Sequence, residues 1–122
     1  MASEKTKDNL IDMGVTSEKV VVSGIPVKNK FNCEKDVKIK KNILIMGGGL
    51  GLIPSIDEFL CEIIANGEFT INVIVGNNKK MYDKISNKYK NVNVIGFTNE
   101  VYKYMKEADL IVTKAGGVTM FE

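Results

Sequence analysis

The residues with the widest chemical scope in this chain are glycines. One cluster, Gly47-Gly48-Gly49-Leu50-Gly51, follows the apolar run Asn42 to Met46. A second, Gly116-Gly117, follows Leu110 to Thr113 through Lys114 and Ala115. Glycine lets a backbone approach a ligand closely, and free amides at a helix start favour an anion. Two such loops suit a phosphate or a diphosphate. Two tight strand-to-helix turns without a ligand are the other reading. Lys114 is either a phosphate partner or a solvated ammonium. Glu122, in Thr119-x-x-Glu122, either closes a capping box or accepts hydrogen bonds from both hydroxyls of a ribose. A dinucleotide fingerprint does not fit: G-x-G-x-x-G would need glycine at Leu52 or Pro54, and Gly76-Asn77-Asn78 stands where its acidic residue belongs. No G-x-x-x-x-G-K-[ST] occurs either.

Composition narrows the chemistry further. All 17 basic residues are lysine. Without arginine there is no bidentate fork, so phosphate contacts fall to lysine, backbone amides or helix ends. There is no histidine, which removes a histidine base or histidine metal ligand from this chain. A net charge of +2 is too small to imply nucleic acid. With 122 residues, 44% hydrophobic and 26% charged, the chain reads as one small globular domain or a piece of a larger one. No apolar run nears the ~18 residues of a membrane span, and the N-terminal MASEKTKDNL does not read as a secretory signal. Cys33 and Cys61 lack a CxxC spacing and are expected to be reduced, buried thiols.

The elements around these residues must position them. Ser3 to Met13 reads as a short helix capped by Ser3 and stopped by Gly14. Lys19 to Val22 reads as a short strand, Ser23-Gly24-Ile25-Pro26-Val27 as a break, and Lys28 to Lys41 as a lysine-rich surface connection. Asn42 to Met46 is the continuous apolar run of a strand buried on both faces. A helix starts near Ser55, with Ser55 and Glu58 as a capping box and Ile56, Phe59, Leu60, Ile63 and Ile64 as its apolar face. Thr70 to Val75, Asn91 to Ile95 and Leu110 to Thr113 read as strands. Lys79 to Lys88, with Met81, Tyr82, Ile85 and Tyr89 inward, and Asn99 to Lys106 read as helices. The alternation predicts a parallel α/β sheet in the order third, second, first, fourth. Its ligand is expected at the carboxyl ends of the first and fourth strands, where both glycine loops emerge. Lys80, Lys84 and Lys88 share one helix face, either to touch anionic lipid or as a solvated face. The sequence stops soon after a helix expected at Thr119. That predicts a fragment with an open fourth-strand edge, and either disorder after about Lys114 or burial of that edge against a second copy.

Five motifs occur in order: Ser23-Gly24-Ile25-Pro26-Val27, Ile45-Met46-Gly47-Gly48-Gly49-x-Gly51, Val75-Gly76-Asn77-Asn78, Ile95-Gly96-Phe97-Thr98, and the run from Ala108-Asp109 through Lys114-Ala115-Gly116-Gly117-x-Thr119-x-x-Glu122. The set resembles the C-terminal, donor-binding half of glycosyltransferase family 28, in particular the monogalactosyldiacylglycerol synthases and processive diacylglycerol glucosyltransferases. The resemblance implies a truncated, Rossmann-like half of a GT-B enzyme. Residues 1–41 would form an interdomain junction and residues 42–122 a partial UDP-sugar-binding domain. The reaction implied is inverting hexosyl transfer from a UDP-sugar to a lipid such as diacylglycerol, with no cofactor or metal. Phe97 would contact uracil through its backbone and Glu122 would hold the ribose. Gly116, Gly117 and Thr119 would hold the diphosphate, with Gly48, Gly49 and the Leu50 amide on its other side. Lys28 matches a family arginine near the diphosphate, keeping the charge and losing the fork. No catalytic residue is expected in this chain. Base and acceptor site would come from an N-terminal domain, so the isolated chain is predicted inactive. The implied partners are the UDP-sugar, that domain and a membrane surface, in a cytoplasmic, peripheral setting without nucleic acid. A sugar-nucleotide-binding module without chemistry of its own is the alternative.

Overall fold

The computed structural model describes residues 2–31, 38–48, 50–116 and 119. These divide into two compact units, residues 38–114 and the remainder. In the smaller unit, α1 (Glu4–Asp12) starts where the Ser3 hydroxyl accepts the Thr6 N–H at 3.3 Å. The expected strand from Lys19 to Val22 is absent. Ser17–Lys19 is a 3-10 turn, and Val20 is buried and extended outside any strand. β-branched residues favour extended backbone, but a strand exists only where a ladder does. A second 3-10 turn, Asn29–Phe31, follows Lys28.

The larger unit is a parallel sheet of β1 (Asn42–Met46), β2 (Thr70–Gly76), β3 (Val92–Gly96) and β4 (Leu110–Thr113), ordered β3-β2-β1-β4 as expected. Three helices connect the strands: α2 (Ile56–Ala65), α3 (Lys79–Lys88) and α4 (Val101–Glu107). Strand side chains alternate between two cores. Ile43, Ile45, Ile71, Val73, Val75 and Val92 pack with Ile56 and Leu60 of α2 and Ile85 of α3. Leu44, Met46 and Ile74 pack on the other face with Ala108 and with Val101, Tyr104 and Met105 of α4. Leu44 and Ile45, neighbours in sequence, are both fully buried on opposite faces. Each such side chain contributes roughly 1.5–3 kcal/mol, which is why the central strands are apolar at successive positions.

Asp109 aligns the sheet at its N-terminal end. Its Oδ2 accepts the Lys40 and Asn42 N–H groups, both at 2.9 Å, and its own N–H donates to Asn42 O at 2.8 Å. The start of β4 is thereby fixed to the start of β1, giving the register Met46 opposite Thr113. β4 lies at the edge, with Leu110 exposed.

Three details differ from expectation. Ser55 does precede α2, but at φ +51 and with no capping hydrogen bond from its side chain, so there is no capping box. The left-handed backbone turns its hydroxyl away from the geometry a cap requires, which is an extended residue before the helix. Phe59 and Ile64 of α2, and Tyr82 of α3, are more than a third exposed rather than part of the core face. Cys61 is exposed on α2, not buried, with Sγ 3.5 Å from the Tyr89 hydroxyl. Cys33 lies outside the described residues.

Candidate functional site

The strand order reverses between β1 and β4, so their C-terminal ends open the crevice in which open α/β sheets take ligands. The loop leaving β1 is shaped mainly by steric demands. A Cβ added to Gly47 would meet Gly51 C at 2.6 Å and Leu52 N at 2.7 Å. One added to Gly51, at φ +58, would meet Val75 O at 1.9 Å. The Gly51 N–H closes a turn on Gly48 O at 2.9 Å. Gly51 is thus required to seat the loop on β2, and Gly47 to let the loop fold back on its own backbone.

Gly48 is different. It is exposed, at φ +70, and the end of the Lys114 side chain crosses it: an added Cβ would lie 2.8 Å from Cε and 3.3 Å from Nζ. The pairing of Met46 with Thr113 puts Lys114 one residue beyond the sheet, level with Gly47. Among the described residues no carboxylate pairs with this ammonium. Lys114 is exposed and its side chain lies across this backbone turn at the switch point, which fits either sequence reading. Leu50 sits on the same turn, 70% exposed.

The other end of this edge lies at β3. Gly76 and Gly96 pair across β2 and β3, and Phe97 follows with 66% of its surface exposed. The Thr98 hydroxyl accepts the Glu100 N–H at 3.0 Å ahead of α4. From β3 to β4 is three strand spacings, roughly 14 Å. The edge therefore runs from an exposed aromatic ring, past glycines, to an ammonium.

The β1 loop reaches α2 where the sequence puts its start, next to Ser55. Leu52-Ile53-Pro54-Ser55 intervenes before α2, whose first turn carries Asp57 and Glu58. These carboxylates already match the positive end of the helix dipole. A groove of about 410 Å³ between α2 and β4 is lined by Ile53, Pro54, Phe59 and Val112 together with Glu58 and Glu62. Apolar walls with carboxylates are the wrong chemistry for a diphosphate.

Asp57 partners two lysines of the stripe. Lys84 pairs with its Oδ2, Lys88 with Oδ1 at 3.0 Å, and the Tyr89 hydroxyl donates to Oδ1 at 3.0 Å. Hydrogen bonds from Lys84 and then Lys88 hold the Asp57 carboxyl well below the usual carboxylate range, and the same contact raises Lys88. Two lysines of this exposed face therefore also tie α3 to α2. Lys80 stays exposed.

Of the residues expected in the site, the sheet unit carries Gly48, Leu50 and Phe97, all exposed. The smaller unit carries Lys28, exposed, and Gly116 and Thr119, half-buried. Gly49, Gly117 and Glu122 lie outside the described residues. Sequence reasoning assigned no role to Asn78, although Asn before a lysine-rich helix is a readable cap signal.

Residues 42–122 match the family described as glycosyltransferase family 28 C-terminal domain. Among curated proteins, the processive diacylglycerol beta-glucosyltransferases of Staphylococcus aureus strains Newman, USA300 and COL are each 29% identical to this chain over 136 residues. Each match covers 100% of this chain and 35% of the relative, so the chain spans about a third of those proteins' length. No solved structure matches significantly.

Proposed function

The chain belongs to the glycosyltransferase family 28 C-terminal domain family, and on that premise we propose that it binds the UDP-sugar donor of a transferase that passes a hexosyl group to a lipid such as diacylglycerol. The observation that carries the reading is the Lys114 ammonium lying over Gly48 at the switch point of the sheet. A leaving diphosphate gathers negative charge as the sugar departs, and fixed cations and amides stabilise that charge most at the transition state. The exposed Phe97 at the far end of the edge offers its backbone, and a ring face, to the base. The names of the 29%-identical relatives support the lipid acceptor.

Other roles in this proposal rest on motif position. Gly48, Gly49, the Leu50 amide, Gly116, Gly117 and Thr119 serve the diphosphate, Glu122 the ribose, and Lys28 supplies a second cation. Residues 42–122 act as the donor domain and residues 1–41 as its junction. The acceptor site and the catalytic base belong to the rest of the protein, so this chain alone transfers nothing. Inverting transfer without a metal is part of the same proposal, as is work at a membrane surface from the cytoplasmic side. Among the described residues no helix is long and apolar enough to cross a membrane.

The test is calorimetric titration of the intact protein with UDP, UDP-glucose and UDP-galactose. Saturable binding of UDP and of one UDP-sugar is the expected result. Absence of any UDP binding would remove the donor-site reading.

A further inference from the structure

Asn78 is joined to the β1 loop and to α3 at once. Its backbone N–H donates to Val75 O at 3.1 Å. Its Oδ1 accepts the Met81 N–H at 3.1 Å and so caps α3. Its Nδ2 donates to Gly51 O at 3.4 Å. The Asn78 Cβ also stands 2.9 Å from the point where a Cβ on Gly51 would lie. Gly51 is buried between Asn78 and β2, and its own N–H closes the turn on Gly48, the residue that Lys114 crosses.

We propose that Asn78 is a positioning residue for the anion end of the donor site. One primary amide uses its acceptor on α3 and its donor on the Gly48–Gly51 turn. It thereby holds the turn, and the seat of the Lys114 ammonium, in the binding geometry before ligand arrives. This rests on the donor-site reading above. The residue type follows from the double task. Asp and Ser cap a helix start about as well. Aspartate, however, has no donor and would set a carboxylate oxygen against the Gly51 carbonyl, and the serine hydroxyl is too short to reach it. A turn held in place beforehand needs less ordering on binding, which appears as affinity.

Asn78→Asp and Asn78→Ser in the intact protein separate the two tasks. UDP affinity is read by calorimetry, and hydrogen exchange is read in the ligand-free protein. Both variants are expected to keep α3 protected and the melting temperature near wild type. UDP affinity should fall about three- to tenfold, and amides of the β1–α2 loop should exchange faster without ligand. Unchanged affinity with unchanged loop exchange overturns the proposal. So does a loss of affinity accompanied by lost protection along α3, because Asn78 would then be a helix cap alone. If the wild type binds no UDP, the donor-site reading fails by itself, and loop exchange still decides whether Asn78 holds the turn.

Discussion

Gly51 and Gly96 flank β2 on the same edge of the sheet, and both belong to motifs that read as ligand loops. Their surroundings are unlike. A methyl group on Gly51 would be driven to 1.9 Å from a backbone oxygen of β2, while the nearest atom to one on Gly96 is Gly76 O at 3.8 Å. The first glycine is demanded by the fold whether or not anything binds. The second has room for a methyl group at ordinary contact distance, beside an exposed phenylalanine. A glycine-rich βα loop is therefore not one signal. Each glycine has to be assigned to backbone packing or to ligand access by what a side chain would strike.

The largest expected effect lies on the packed side. Gly51→Ala should destabilise the intact protein by more than about 3 kcal/mol, since the clash is with backbone at positive φ. Denaturant unfolding measures it, and a midpoint equal to wild type would mean that the loop moves freely and the contrast is lost. On the open side, Phe97→Ala should weaken UDP binding about fivefold, the low end of base–aromatic stacking, and leave pyrophosphate binding unchanged. Equal weakening of both ligands would deny that Phe97 marks the base end.

A smaller effect belongs to the Asp57 tie between α2 and α3. Because the folded carboxyl is held below its ordinary value, its contribution is complete above the unfolded carboxylate value of about 3.9 and is lost as pH falls below it. Asp57→Asn should cost less than about 1 kcal/mol at neutral pH, given half-exposed lysine partners. Between pH 5 and pH 3, the melting temperature of the wild type should drop further than that of the variant. Parallel losses in the two proteins would show the tie to be energetically silent. The smallest change is expected for Gly96→Ala, within about 0.5 kcal/mol of wild-type stability. A larger loss by thermal melt would place Gly96 with Gly51.

The regular elements were largely legible. Asn42–Met46, Lys79–Lys88 and Leu110–Thr113 form where apolar runs and helical spacing put them. The strand order followed from short right-handed crossovers. Pairings across elements were not legible. Nothing in the spacing of Lys84 and Lys88 points to Asp57 on another helix, so the stripe read as unpartnered. The Ser55–Glu58 pattern is local, whereas the left-handed backbone of Ser55 belongs to the turn into α2 and removes the cap. Asp109 sat inside the motif that carried the resemblance, yet its carboxylate fastens β4 to β1 at the end of the sheet away from the crevice. A motif records residues kept for the fold and for the ligand without separating them. For the site, the crevice at the carboxyl ends of β1 and β4 was readable, while the crossing of Lys114 over Gly48 required the register of β4 on β1.

The central assignment is that the anion end of the site is the Lys114 ammonium over Gly48. Titration of wild type and Lys114→Met with UDP and with uridine tests it most directly. UDP affinity is expected to fall at least about tenfold, as for loss of a charge-assisted contact, with uridine affinity unchanged. Equal UDP affinity in the two proteins would contradict the assignment.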